Sequence, residues 1–256
     1  MKKVLSFLVA FALSAVLLQA CGSEKLAPDN STQATQAAEP TSEAADTTAA
    51  VTDGEPKFEL GEASSRIWKD SINSVWIQFS APIKNTGDTD LYLSACAADL
   101  EDKDGKLVDT FDLVSAYPQI IKPGETGYYY EETTLDGKDV QDYKVVVHPD
   151  VKESRCECIR FDVSDAEVKD TDYYGIEVLG RVKNTTSETQ SSVYVSVCLF
   201  YKDNKLIGHC TDMLTNDLLA GEQVSFKASG LSLPDDVKAK DVASTEIVAY
   251  PFQYSF

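Results

Sequence analysis

A stretch of this chain, Trp76 to Leu107, recurs without a gap 99 positions later as Gly175 to Leu206. The shift lays Lys84-Asn85-Thr86 on Lys183-Asn184-Thr185 and Leu100 on Leu199. It also lays Lys103-Asp104-Gly105-Lys106-Leu107 on Lys202-Asp203-Asn204-Lys205-Leu206. Further on, Pro123-Gly124-Glu125 matches Ala220-Gly221-Glu222. Lys138-Asp139-Val140 and Val147-His148-Pro149 match Lys240-Asp241-Val242 and Ala249-Tyr250-Pro251, at slightly different shifts. Small insertions between matching blocks fall where loops tolerate them, so the chain uses one small domain twice.

Each copy reads as β. Trp76-Ile77-Gln78-Phe79, Tyr143 to Val147, Val193 to Val197 and Glu246 to Tyr250 are short segments rich in β-branched and aromatic residues. Asn-Thr, Asp-Gly, Asp-Asn and Pro-Gly signals separate many of the strands. No long segment keeps a helical period. Asp104-Gly105 and Asp203-Asn204 suit the central pairs of two-residue hairpin turns, which makes residues whose numbers sum to 407 face each other in the second copy. Val195, Val197, Leu199 and Tyr201 then share a face with Leu206 and Cys210. The opposite face carries Tyr194, Ser196, Cys198 and Phe200.

Before the repeats, Met1-Lys2-Lys3 supplies positive charge and Val4 to Leu18 an apolar run too short for a spanning helix, the pattern of an export signal. Its end, Leu18-Gln19-Ala20-Cys21-Gly22, resembles the lipobox of bacterial lipoproteins. That resemblance makes Cys21 the lipid-bearing first residue of the mature chain, with acyl chains holding it to the bilayer. From Gly22 to about Pro56 the residues are Ala, Thr, Ser, Glu, Asp and Pro with a single basic residue, Lys25. Such a segment has nothing from which to build a core; it reads as a disordered tether with a mean span of about 30–35 Å. The expected order is a signal peptide over 1–20, a lipidated Cys and tether over 21–56, and β-sandwich repeats over 57–152 and 153–256. Asn30-Ser31-Thr32 and Asn184-Thr185-Thr186 fit the glycosylation pattern, which carries little weight in a bacterial lipoprotein.

Besides Cys21 the chain has Cys96, Cys156, Cys158, Cys198 and Cys210, an odd number, so disulfides cannot consume them all within one chain. Cys96 aligns with Val195 and Cys210 with Phe111, which suggests small core hydrophobes. Cys198 and Cys210 fall on opposite faces and should not bridge. Cys156-Glu157-Cys158 sits at the junction; a bridge within it would close a strained ring, so one of its thiols is expected to reach Cys198 or another strand. His148, Cys156 and Cys158 are also a candidate zinc or copper set. Against that, His148 aligns with Tyr250 at a strand end, where the repeat requires no ligand.

With 42 Asp plus Glu against 23 Lys plus Arg, the net charge is −19, which opposes nucleic acid and anionic lipid headgroups. Asp102-Lys103-Asp104-Gly105 resembles part of a calcium loop, but Leu100 and Phe111 stand where its first and last ligands belong. No hydrolase, zinc-protease, phosphate-loop or dinucleotide motif occurs, so neither an enzyme nor a cofactor is expected. Recognition by a surface remains. The repeat places Tyr129 on Phe226, in the core, which turns Tyr128 and Tyr130 outward as a candidate surface for a protein or glycan. Cross-strand packing on an open sheet face accounts for the two tyrosines as well.

Gly180-Arg181-Val182-Lys183-Asn184-Thr185, then Leu199-Phe200-Tyr201-Lys202-Asp203-Asn204-Lys205-Leu206-Ile207-Gly208, then Leu219-Ala220-Gly221-Glu222 and Phe226, resemble the FxLYD-type domain of bacterial lipoproteins over about Tyr173 to Tyr250. The first copy departs from it: Ala81-Pro82 replace the early Gly-x, and Glu101-Asp102 stand where the aromatic pair belongs. The resemblance implies an immunoglobulin-like sandwich on the cell exterior and transfers no catalytic residue. The expectation is an all-β protein with two tandem immunoglobulin-like domains, lipid-anchored outside the bacterial membrane. It would be a non-catalytic binding or spacer module with an envelope protein or glycan as partner. The alternative is a metal- or redox-responsive lipoprotein using the junction cysteines.

Overall fold

Alternation of β-branched and aromatic residues with polar ones produces strands throughout. The first copy contributes β1 (Phe58–Leu60), β2 (Ser64–Lys69), β3 (Val75–Asn85), β4 (Leu91–Asp102), β5 (Leu107–Tyr117), β6 (Ile120–Ile121), β7 (Thr126–Thr134) and β8 (Tyr143–Glu153). The second contributes β9 (Asp162–Thr171), β10 (Gly175–Lys183), β11 (Val193–Phe200), β12 (Leu206–Met213), β13 (Gln223–Gly230) and β14 (Ser244–Pro251). A computed structural model describes residues 55–135, 140–171, 175–230 and 233–252. The export signal, Cys21, Asn30, the tether before residue 55, Lys138-Asp139 and the tail from residue 253 lie outside the described residues. Among the described residues the helical content is one 3-10 turn, Ala239–Asp241.

The protein is all-β, with sandwich-like domains in tandem. In the first, β5 pairs with β4 through its early residues and with β7 through Ser115, Ala116 and Tyr117, so this strand passes from one layer to the other. One layer holds β2, β1, β3 and β7, the other β4, β8 and β6. Ile77, Phe79, Ile83, Leu93, Leu100 and Tyr129 fill the space between them. In the second domain the strand order is β14-β11-β12-β13-β10-β9, and a bridge from Phe161 to Ala249 brings the two ends of that sheet together. Its own core holds Ile176, Val178, Val195, Val197, Leu199 and Phe226.

The expected hairpin register holds, for a different reason. Tyr194 to Leu199 pair with Met213 to Gly208, each pair summing to 407. The turn, however, has three residues between Tyr201 and Lys205, with Asn204 in the left-handed region at φ 61°. A bulge between Leu199 and Phe200 skips Ile207 and cancels the extra turn residue. Below the bulge the faces exchange: Ile207 enters the core and Leu206, expected there, is only partly buried. The first copy repeats the device, with Gly105 at φ 76° and a shift at Val108.

The Asn-Thr and Gly-Glu motifs prove to be halves of one lock. Asn85 Nδ2 donates to the Thr89 and Ile121 carbonyls at 2.8 and 3.1 Å, and its Oδ1 accepts from the Gly87 amide. Asn184 does the same with Glu188, Leu218 and Thr186. The Gly124 and Gly221 amides, both at positive φ, donate to the backbone carbonyls of these asparagines. Glu125 and Glu222 accept from the Lys122 and Leu219 amides and close the loop. Both asparagines are wholly buried, so Asn184 offers no surface for a glycan.

Candidate functional site

Strands β3 and β11 are buried on both faces. One face of each lines its own domain core; the other belongs to a seam in which the two domains pack together. From the first domain come Gln78, Ser80, Tyr117, Tyr128 and Tyr130, and from the second Ser196, Cys198, Phe200, His209 and Tyr250.

The seam is polar and buried. Gln78 Nε2 donates to the Tyr130 hydroxyl at 2.8 Å and to the Ile207 carbonyl at 3.1 Å. Arg66 donates to the same carbonyl and to the Tyr201 hydroxyl. Because the bulge takes Ile207 out of register, its carbonyl is free to be received by the first domain, a use that bulges often serve. His209, 3% exposed, lies with its ring 3.9 Å from that of Tyr117 and shares a 2.8 Å hydrogen bond with Ser196 Oγ. Burial pushes its pKa down to about 3, so the imidazole is neutral at physiological pH.

Tyr128 and Tyr130 are therefore not a free recognition surface. The Tyr128 hydroxyl donates to Glu246 at 3.0 Å with its ring against Phe200, and Tyr130 is 4% exposed with its hydroxyl donating to Glu132. Burial raises both phenol pKa values. The face that looked open within one copy is covered by the other copy. Tyr129 is fully buried in the first core, as its alignment with Phe226 implies.

The junction cysteines also find places other than those expected. Cys158 is buried, with Sγ 3.8 Å from the Ile120 carbonyl, and burial pushes its thiol pKa up to about 11. Arg160 clamps beside it, donating to the Ile120 carbonyl at 2.6 Å and to Glu125 at 3.0 Å, with its guanidinium over Tyr250. Cys156 N–H donates to Ser154 Oγ. No bridge from this pair to Cys198 forms: Cys158 and Cys198 are free thiols, as are Cys96 and Cys210. The latter two are buried in separate cores, their pKa values pushed up to about 12. His148 bonds Asp99 at 2.8 Å, and no grouping of three or more His, Cys, Asp or Glu fit for a metal occurs among the described residues, so His148, Cys156 and Cys158 do not form the candidate set. Asp102, weighed as a calcium ligand, accepts the Asp104 and Lys106 amides and shapes the turn.

At the edge of the seam a cleft of about 230 Å³ opens between the domains. Ser64, Ser65, Arg66, Gln78, Phe79 and Ser80 line it from the first domain and Tyr201, Lys205 and Leu206 from the second. Cross-strand pairing puts Ser64 beside Ser80 and Arg66 beside Gln78. Arg66 Nε, Gln78 Oε1 and Ser80 Oγ are buried without a hydrogen-bond partner among the described residues. Each such group costs about 1–3 kcal/mol.

Reading the sequence missed these residues, although a signal existed. The second copy has Ser225 and Lys227 where the first has Tyr128 and Tyr130. The first has Ala95, Ala97, Asp99 and Glu101 where the second has Tyr194, Ser196, Cys198 and Phe200. Each copy is weakly charged on the face that the other covers. No protein-family model and no curated protein matches this chain.

Proposed function

We infer that the chain is a lipid-anchored, extracytoplasmic lipoprotein of the bacterial envelope, attached through Cys21 and acting as a non-catalytic binding or spacer module. The supporting observation is the seam. Two domains joined only by a linker would move independently, whereas Gln78, Arg66, Tyr128 and Arg160 bind these two into one head with a cleft at its edge. The FxLYD-type resemblance of the second domain supports a place on the cell exterior, and the strongly acidic composition keeps the head from anionic lipid.

Crosslinking in intact cells tests this reading, comparing the native chain with Cys21→Ser. The native chain is expected in the membrane fraction, capturing the same envelope component in repeated trials, with Cys21→Ser released and the capture lost. A Cys21→Ser chain that still fractionates with membranes contradicts the anchor.

A further inference from the structure

We propose that the seam cleft is a binding site for a small organic carboxylate. In a chain with nearly two acidic residues for each basic one, none of the residues lining this cleft is acidic, while Arg66 and Lys205 both do so. Arg66 is not in an ion pair with any described carboxylate: its terminal nitrogens donate to Tyr201 and the Ile207 carbonyl, and Nε–H keeps no partner. Ser80, 4% exposed and two rungs from Arg66 on the same strand pair, holds a second buried donor without a partner among the described residues.

Two donors on one strand pair, one of them cationic, suit the two oxygens of a carboxylate. Gln78 Oε1 is an unpartnered acceptor beside them, its own amide nitrogen already committed to Tyr130 and Ile207. That acceptor selects a ligand with a hydroxyl or N–H next to its acid group. Leu206 supplies an apolar wall, and the cleft volume is that of roughly eight water molecules, the size of a short branched hydroxy acid. Tyr201 and Lys205 also border a shallow depression lined by Lys202, Asp203, Lys240 and Asp241, in which Lys205 pairs with Asp203 at 3.3 Å. Both domains contribute to the site, so it exists only while the seam is closed.

This assignment rests on the reading as a binding module, and its test does not involve the anchor. The full chain, in non-ionic detergent, is titrated calorimetrically with 2-hydroxy-4-methylpentanoate and with the matching neutral amide. The acid is expected to bind and the amide to bind at least about tenfold more weakly. Ser80→Ala, which removes a hydroxyl that bonds none of the described residues, is expected to weaken acid binding about tenfold without unfolding the chain, and Arg66→Gln to abolish it. Equal binding of acid and amide, equal binding of inorganic phosphate, or acid binding unchanged in both variants overturns the assignment. Absence of any binding by natively folded protein does so as well, and leaves an envelope component captured by crosslinking to sustain the binding-module reading.

Discussion

His209 is the residue on which the seam's chemistry turns. Its ring is packed against Tyr117 and Tyr130, and its one hydrogen bond is to Ser196, so no carboxylate compensates a charge there. The folded pKa of about 3 lies below the unfolded value of about 6.5, so between these values the unfolded chain binds the extra proton. The stability that His209 contributes is complete above about pH 6.5 and is lost as the pH falls toward 3. Between pH 7 and pH 4.5 the loss is about 2–3 kcal/mol. Urea unfolding at a series of pH values checks this by comparison with His209→Gln, which should lose less on acidification. Identical pH slopes in the two proteins would show that the imidazole is not held neutral. The thiols fit the same picture. With Cys96, Cys158 and Cys210 held at raised pKa values, little nucleophilic thiolate forms at neutral pH.

Among the elements, the asparagine lock explains why the repeat keeps its motifs. Asn85 and Asn184 end the equivalent strands β3 and β10 by satisfying three backbone groups each, one carbonyl and one amide in the following loop and one carbonyl more than thirty residues on. Asn184→Ala strips all three at once and should cost about 3 kcal/mol or more, lowering the melting temperature by roughly 6–12 °C; thermal unfolding measures it. A change under about 1 kcal/mol would mean that the loop repacks around the loss. Much at this scale was legible in advance. β-Branched and aromatic runs located β3, β8, β11 and β14, and the 407 register of β11 with β12 agrees with the two-residue turn expected from the sequence because a bulge cancels the extra turn residue. The placement of Leu206 was not legible, because a three-residue turn plus a bulge and a two-residue turn predict the same pairing farther along the strands. They differ only in which side chain, Leu206 or Ile207, enters the core.

For the whole molecule, the seam decides how the protein behaves, and it was the least legible feature. Periodicity within one strand distinguishes a core face from an outer face, but it does not tell solvent from a second domain. Tyr128 and Tyr130 lie outside the core of their own copy, yet both are committed to the seam. The seam is also heterologous: β3 and β7 of one copy meet strands β11, β12 and β14 of the other, so no symmetry between copies announces it. The cleft follows from the same geometry, since Arg66 and Ser80 meet Tyr201 and Leu206 only when the domains are docked. Differential scanning calorimetry of the native chain tests this central claim most directly, with Gln78→Ala,Tyr128→Ala as the partner sample. A single cooperative transition is predicted for the native chain, its calorimetric and van't Hoff enthalpies equal, splitting into two transitions when the seam is cut. Two separate transitions already present in the native chain, and unmoved by the double substitution, would contradict it.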